Sequence, residues 1–185
     1  MKATIANIVS LRELNKTLKG NTRRRGNPDI YNAKSFGILY DASTEHEFKV
    51  VKEFFKDLRV YGIQANSLGF VNHTEKTFHP LARPESDYFF KQHLNWYNKP
   101  AGVEVNNFIE KPFDLLVNVS LIDFYPLDFI AAASAAKCKI GRSEGRFAHI
   151  YDMAIETKGI TDSKTFVYLI IHILSQINAP QKSTV

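Results

Sequence analysis

The chain is poor in the features that mark secreted and membrane proteins. Its 185 residues include a single cysteine, Cys138, which cannot form a disulfide within the chain. A lone cysteine is typical of proteins from a reducing compartment. No apolar run reaches the roughly 20 residues that a transmembrane helix needs, and the first ten residues lack the layout of a secretory signal. We therefore expect a cytoplasmic protein without a membrane span.

The motifs of several large enzyme classes are also missing. The first predicted strand leads into Asp41-Ala-Ser-Thr44, where a dinucleotide-binding or P-loop protein would have a glycine-rich phosphate loop. The serine nucleophile motif G-x-S-x-G is absent, and the six histidines show no metal-ligand spacing. The sequence therefore predicts no metal site and no bound cofactor, and it leaves open whether the protein is an enzyme.

Positive charge is concentrated near the amino terminus. Residues 1–34 contain eight basic and two acidic residues, so this segment carries +6 of a net charge of +5 and the remainder carries −1. The densest patch, Arg23-Arg24-Arg25, is the candidate contact for an anionic partner, nucleic acid included. A solvated helix face followed by a charged loop explains the same composition.

The same segment has the pattern of an amphipathic helix. Apolar residues recur at steps of three or four along one stripe, at Ile5, Ile8, Leu11, Leu14 and Leu18. Gly20, Gly26 and Pro28 then interrupt the pattern. We expect residues 1–34 to form a basic amphipathic helical leader that packs on the following domain or on a second copy of itself.

The rest of the chain alternates between strand and helix patterns. Residues 36–41 are a short apolar run typical of a buried strand, and Thr44 with Glu47 forms a capping box that starts a helix. Similar runs predict four more strands, at residues 63–71, 113–120, 137–142 and 151–156. Further helices are predicted to start near Pro126 and at Thr161 or Asp162.

This alternation predicts an α/β fold with an open, mostly parallel five-stranded sheet in the order 2-1-3-4-5, flanked by helices. Residues 35–178 would form a single Rossmann-like or flavodoxin-like domain, with residues 179–185 as a frayed tail. Residues 72–105 are rich in aromatics and proline without a clear period. We expect an irregular excursion there, with a short extended piece, that has a function or covers a sheet edge.

Ligands of doubly wound sheets bind beyond the carboxyl ends of the strands, near the point where the strand order reverses. The polar residues predicted at those ends are Asp41, Ser43, Thr44, Asn72, Ser120, Asp123 and Arg142. An acid, hydroxyls and an arginine suit a phosphate or the hydroxyls of a sugar. Turn and helix-cap roles explain Asp41, Ser43 and Thr44 equally well.

Two resemblances accompany these segments. The stretches at residues 36–41, 94–100, 113–118, 135–141 and 151–153 resemble a bacterial family of uncharacterised proteins, which implies a Rossmann-like fold and no activity. The strand at 113–120, with the junction that ends at Arg142, is similar to the amino-terminal domain of heptosyltransferase-type glycosyltransferases. That second likeness implies a strand–helix–strand fold and nothing about activity.

Three functions follow as hypotheses. The leading one is a non-catalytic binding or regulatory domain that forms a homodimer through the leader or through the apolar final helix. The alternative is a protein or enzyme that binds a nucleotide or a sugar phosphate at the carboxyl ends of the strands. The third is nucleic-acid binding through the basic leader, which would weaken steeply with salt.

Overall fold

A computed structural model describes residues 2–27, 29–72 and 84–177. Six strands and five α-helices follow one another along the chain, with short 3₁₀ turns at Lys91–His93 and Ala148–Ile150. In chain order they are α1 (Lys2–Gly20), β1 (Ser35–Asp41), α2 (Glu45–Val60), β2 (Gln64–Val71), β3 (Ser86–Phe90), α3 (Val103–Glu110), β4 (Leu115–Asn118), α4 (Tyr125–Ala133), β5 (Cys138–Arg142), β6 (Met153–Ile155) and α5 (Ser163–Gln176).

The strands form one sheet in the order β3-β2-β1-β4-β5-β6, and every neighbouring pair is parallel. The expectation of five strands in the order 2-1-3-4-5 is therefore wrong in number. The five expected strands keep their expected neighbours, and β3 is added at the edge beside β2. β3 lies in the segment that we expected to be an irregular excursion. Its burial is uneven, with only Phe89 and Phe90 buried, so it shows no strand period.

Helices cover both faces of the sheet, because neighbouring strand residues point to opposite sides. On β1, Ile38 packs into the core beneath α2 and α5, where Phe54 and Phe166 are fully buried. The next residue, Leu39, packs into the core beneath α1, α3 and α4, where Phe108 is fully buried. This two-sided burial explains why the central strands are continuous apolar runs.

Two helix starts have their expected cap residues, although the capping box at Thr44 is only half formed because the Glu47 side chain accepts from the Ser163 hydroxyl at 2.9 Å. The Thr44 hydroxyl accepts a hydrogen bond from the Glu47 backbone N–H at 3.3 Å, and α2 begins at the next residue. The Asp162 carboxylate accepts from the Thr165 N–H at 3.1 Å at the start of α5. Pro126 lies in the first turn of α4. Each cap satisfies an amide that would otherwise lack a partner.

The leader is attached to the domain through α1 and the residues directly after it. α1 packs on α4, and its Leu14 is fully buried in the core while Ile5 and Ile8 are about half exposed. After the helix, the Asn21 side-chain amide donates to three carbonyls at the end of α4. The Arg23 guanidinium donates to both carboxylate oxygens of Asp152, at 2.6 and 2.7 Å. These contacts lie at the amino ends of β5 and β6.

Part of what the sequence predicted concerns residues that the structure does not describe. These are the tail at residues 179–185 and, in the excursion, His73 and His79. Among the helices of the described part of the chain, none is both long and apolar enough to cross a membrane.

The final helix α5 buries Phe166, Val167, Ile170 and Leu174 against the domain, so much of its apolar surface is used within the chain.

Candidate functional site

The parallel sheet brings the expected polar residues to one edge, which we call the crest. Parallel strands place all their carboxyl ends on the same side. The seven expected residues all lie in β1, β2, β4 and β5 at that side or in the turns that follow them: Asp41, Ser43, Thr44, Asn72, Ser120, Asp123 and Arg142. They divide into two groups, one around a surface cleft and one around a buried polar network.

The first group borders a cleft of about 400 Å³, which we call the crest cleft. Its floor is the ends of β1 and β2, and its walls are the segment after β3 and the loop between β4 and α4. Its lining residues are Asp41, Phe70, Asn72, Lys91, Leu94, Asn95, Asn98, Ile122 and Phe124. Because β1 and β4 are neighbours while the chain leaves them to opposite faces, the cleft lies at the reversal of strand order.

A short turn fixes the floor of the cleft. One oxygen of the Asp41 carboxylate accepts from the Ser43 N–H at 3.0 Å. The Ser43 hydroxyl accepts from the Asn72 N–H at 2.9 Å, which ties the end of β2 to the turn after β1. Thr44 is occupied as the cap of α2. Ser43 and Thr44 are therefore structural, whereas Asp41 and Asn72 line the cleft.

The wall after β3 is a tight turn between Leu94 and Pro100, which form an antiparallel bridge. The Asn95 side-chain oxygen accepts from the N–H groups of Tyr97 and Lys99, at 3.1 and 2.9 Å. Asn98 has a φ of 65°, a conformation that asparagine tolerates better than most residues. Asn95 and Asn98 thus present their amides from a hydrogen-bonded frame. The sequence analysis missed this wall, although an Asn-rich stretch before proline is a turn pattern.

This turn is also attached to α1. The Ser10 hydroxyl donates to the Tyr97 carbonyl at 2.6 Å. The Lys99 ammonium lies 3.4 Å from the Glu13 carboxylate, and both side chains are about one-third exposed. Two separate contacts with a helix hold the turn against the domain, so the wall is well supported for a loop.

The opposite wall combines an apolar face with a polar support. Phe124 packs on Phe70 of the floor, with ring centroids 4.5 Å apart. The Ser120 hydroxyl donates to the Ile122 carbonyl at 3.1 Å and so shapes the loop. Ser120 therefore supports the wall rather than lining the cleft. A ligand in the cleft would meet aromatic carbon on this side and amides on the other.

The second group is an ion pair above a buried network. The Arg142 guanidinium donates to the Asp123 carboxylate, which also accepts from the Arg146 N–H at 3.1 Å. Arg142 thus has an anionic partner within the protein. The space around the pair and the network beneath it is only about 10 Å³, the size of one water molecule. This group has no room for a ligand.

Three residues that the sequence analysis did not identify form the network. The Tyr151 hydroxyl donates to Asp128 at 2.7 Å, and the Asn118 amide donates to the Tyr151 oxygen at 2.9 Å. Burial raises the pKa of Asp128 to about 6, and it raises the pKa of Tyr151 well above the ordinary value. The three residues are 10 to 33 positions apart in sequence, so no local motif reveals them.

Other candidate groups do not add chemistry to the crest. Cys138 is buried, and burial raises the pKa of its thiol to about 11, so it is not a reactive thiolate near neutral pH. The His93 ring accepts from the Phe90 N–H at 3.1 Å. Within residues 2–27, 29–72 and 84–177, no three His, Cys, Asp or Glu side chains are grouped to hold a metal ion.

The three leader arginines have different surroundings. The Arg23 side chain is only 4% exposed and is paired with Asp152. The Arg25 side chain is 75% exposed and lies 3.7 Å from the same carboxylate, and Arg24 is exposed. Of the patch expected to contact an anionic partner, Arg24 and Arg25 are accessible. They lie at the amino ends of the strands, on the far side of the sheet from the crest.

Comparison with known proteins gives a family and no activity. Residues 7–177 match the model of a family of unknown function, DUF6913, so the match includes most of α1 and the whole sheet. No curated protein and no solved structure matches the chain. The expected likeness to uncharacterised proteins agrees with this family, while the likeness to a glycosyltransferase domain stays a prediction.

Proposed function

The chain belongs to the DUF6913 family, whose function is unknown, and we propose that it binds a small sugar or sugar monophosphate in the crest cleft. One observation carries this proposal. A cleft of about 400 Å³ lies at the strand reversal, and the described residues that line it supply one carboxylate, three amides, one ammonium and four apolar side chains.

The size and the position of the cleft favour a small ligand. Ligand pockets usually measure about 300–1,000 Å³, and open α/β sheets bind ligands at this edge. The cleft is near the small end of that range, which suits one sugar ring better than a dinucleotide. A second copy of the chain or a nucleic acid would need a broad surface rather than a concave one.

The polar lining suits hydroxyl groups. A sugar hydroxyl both donates and accepts, and so it needs both kinds of partner. Asp41 offers carboxylate oxygens as acceptors and the Asn95 amide nitrogen can donate, while the side-chain amides of Asn72 and Asn98 can do both. The rings of Phe70 and Phe124 offer an apolar surface for the C–H groups of the same molecule.

The charges of the lining favour at most one phosphate. Among the lining residues that the structure describes, Lys91 is the cation and Asp41 is the acid. Beyond Asp41, the first turn of α2 carries Glu45 and Glu47 at the helix terminus that would otherwise attract a phosphate. A di- or triphosphate would meet these carboxylates, whereas a sugar or a sugar monophosphate would not.

The lining also favours binding over hydrolysis. Most glycosidases use two carboxyl groups that flank the scissile bond. The described lining of the cleft includes one, Asp41, and part of its carboxylate is committed to the turn after β1. Asp128 is buried in the network and is not among the lining residues. We therefore propose a binding role without a reaction.

Isothermal titration of the full chain tests this proposal with glucose, glucose 1-phosphate, glucose 6-phosphate and ATP. We expect binding of the sugars or their monophosphates, and weaker binding of ATP. Asp41→Asn keeps an acceptor for the turn and removes the charge, so we expect lower affinity without unfolding. If none of the three sugar compounds binds, or if Asp41→Asn binds them all as tightly as the natural chain, the proposal is wrong.

The phosphate contact has a matched control. Lys91→Ala should lower the affinity for glucose 6-phosphate by about tenfold, the scale of one charge-assisted hydrogen bond. The same substitution should leave the affinity for glucose unchanged. Lys52→Ala removes an exposed lysine of α2 outside the cleft and should change neither affinity. Equal losses for both ligands in Lys91→Ala would contradict a phosphate contact at this residue.

A further inference from the structure

Trp96 is the single tryptophan of the chain, and 67% of its surface is exposed. It stands in the turn between Leu94 and Pro100, directly after Asn95 and two residues before Asn98. Both asparagines line the crest cleft, so Trp96 is carried by the turn that forms one wall of the cleft. Leaving so large an apolar side chain in water forgoes the stabilisation that burial would give, which favours a role outside the folded core.

The turn gives the indole a defined position. The Asn95 side chain holds the backbone of Tyr97 and Lys99, and Tyr97 packs edge-on against Trp96 with ring centroids 5.0 Å apart. Ser10 and Glu13 tie the turn to α1. A side chain that is already placed loses little conformational entropy when a ligand contacts it. An exposed aromatic residue on an ordered turn that forms a cleft wall is therefore suited to recognition.

A second exposed apolar residue borders the cleft from the other wall. Ile122, in the loop after β4, is 61% exposed and lines the cleft. β3 and β4 are separated by β2 and β1, so the two loops leave the sheet roughly 14 Å apart, three strand spacings. The cleft thus has an exposed apolar side chain, Ile122, on one wall, and the turn that carries Trp96 forms the other wall.

We propose that Trp96 is a specificity-determining residue that packs its indole against the C–H face of a sugar ring bound in the cleft. This inference rests on the proposed function and names the class of ligand more closely. The hydroxyl-binding floor does not distinguish a cyclic sugar from an open-chain polyol, since both carry the same groups. Only a closed ring presents a flat apolar face, so Trp96 selects the cyclic form.

The single tryptophan makes the contact directly observable. On titration of the full chain with glucose 6-phosphate, the fluorescence of Trp96 should shift to shorter wavelength, and acrylamide should quench it less. Isothermal titration is run in parallel with glucose 6-phosphate and with sorbitol 6-phosphate, its open-chain counterpart. We expect the cyclic compound to bind about tenfold more tightly, the scale of aromatic stacking on one ring.

Variants separate stacking from folding. Trp96→Ala should lower the affinity for glucose 6-phosphate by about tenfold and remove its preference over sorbitol 6-phosphate. Trp96→Phe keeps an aromatic ring and should retain most of both. Tyr168→Ala removes another exposed aromatic residue, on α5, and should change neither affinity. Because Trp96 is exposed, its substitution should leave the circular dichroism of the chain unchanged.

The outcomes distinguish this inference from the function on which it rests. Binding by calorimetry without a fluorescence change, or equal affinities in Trp96→Ala and the natural chain, would overturn the role of Trp96 and leave the crest cleft as a sugar site. Absence of calorimetric binding for every sugar compound would overturn both. A fluorescence shift together with lost ring preference in Trp96→Ala supports the inference.

Discussion

Burial shifts the pKa values of two side chains, Asp128 in α4 and Lys139 in β5. Asp128 is 6% exposed within the Asn118–Tyr151 network, and burial raises its pKa to about 6. Lys139 is fully buried in β5, and burial lowers its pKa to about 7, with a further contribution from the Arg23 guanidinium. Both residues are therefore partly neutral near physiological pH, and each makes stability depend on pH.

Asp128 stabilises the folded state when it is protonated. Its folded pKa of about 6 is above the ordinary 3.8, so the folded state holds the proton more tightly than the unfolded state does. The stabilisation is complete below about pH 4 and is lost as the pH rises through 6. A shift of this size corresponds to about 3 kcal/mol of unfolding free energy.

We expect Asp128→Asn to remove this pH dependence. Urea unfolding at pH 4 to 7 should show the natural chain losing about 3 kcal/mol relative to the variant across that range, since asparagine stays neutral. Glu156→Gln, at an exposed carboxylate, serves as the control and should run parallel to the natural chain. A constant difference between Asp128→Asn and the natural chain at all pH values would show that Asp128 titrates normally.

At the scale of helices and strands, the leader meets the sheet through the hydrogen bonds of Asn21, Arg23 and Lys139, which we call the seam. The Asn21 amide and the Lys139 ammonium both donate to the Ala132 carbonyl near the end of α4, at 2.8 and 2.9 Å. Arg23 adds hydrogen bonds to the carbonyls of Ala136 and Lys137, at 3.1 and 2.6 Å. Asn21 and Lys139 thus satisfy carbonyls that the end of α4 leaves without partners, and Arg23 satisfies carbonyls of the segment between α4 and β5.

The contribution of the seam to stability can be tested at Arg23, with the neighbouring exposed Arg24 as the control. Arg23→Ala should lower the unfolding free energy by about 2 kcal/mol, because it removes a largely buried guanidinium and leaves the carbonyls of Ala136 and Lys137 without its hydrogen bonds. Arg24→Ala changes an exposed side chain and should alter stability by less than about 0.5 kcal/mol. Denaturant unfolding at pH 7 measures both. Equal effects would mean that Arg23 is solvated in solution rather than bound in the seam.

The helices and strands that the sequence predicted are those whose formation depends on residues close together in the chain. The helix start at Thr44 depends on a contact three residues away, and the one at Asp162 likewise. β3 depends instead on pairing with β2, and its side chains are only partly buried because it is an edge strand. Only its last two residues, Phe89 and Phe90, are buried, so its sequence shows no strand alternation.

The candidate site could be predicted from the sequence only where it depends on the order of the strands. Parallel topology alone brings every strand end to the crest, so residues such as Asp41 and Asn72 could be placed from the order of elements. Which of them line a cleft depends on loops that fold back from distant parts of the chain. Asn98 and Ile122 come from loops on different strands, and their meeting is a tertiary event that no local pattern describes.

Across the whole molecule, the sheet separates two chemically different ends. The amino ends of the strands carry the seam with the exposed Arg24 and Arg25, and the carboxyl ends carry the crest cleft. Six parallel strands lie between them. Any anionic partner of the leader would therefore bind without blocking the cleft. The two ends can also be tested separately, because substitutions at one end leave the contacts of the other in place.

The leader should unfold together with the sheet rather than as a separate unit. Leu14 is fully buried in the same core as Leu39 of the central strand, so its contacts belong to the whole domain. Leu14→Ala should lower the global unfolding free energy by about 2–5 kcal/mol, as other buried leucine truncations do. Ile8→Ala, at a half-exposed position of the same helix, should have a much smaller effect.

Hydrogen exchange distinguishes a shared core from a separate leader. If the core is shared, Leu14→Ala accelerates amide exchange in α1, α4 and β1 by the same factor, because all three open in one cooperative step. If α1 were an independent leader, the substitution would accelerate exchange in α1 alone and leave the strands protected. The first result would make residues 1–34 part of the structural domain, since the hydrophobic core would then need Leu14 to stay closed.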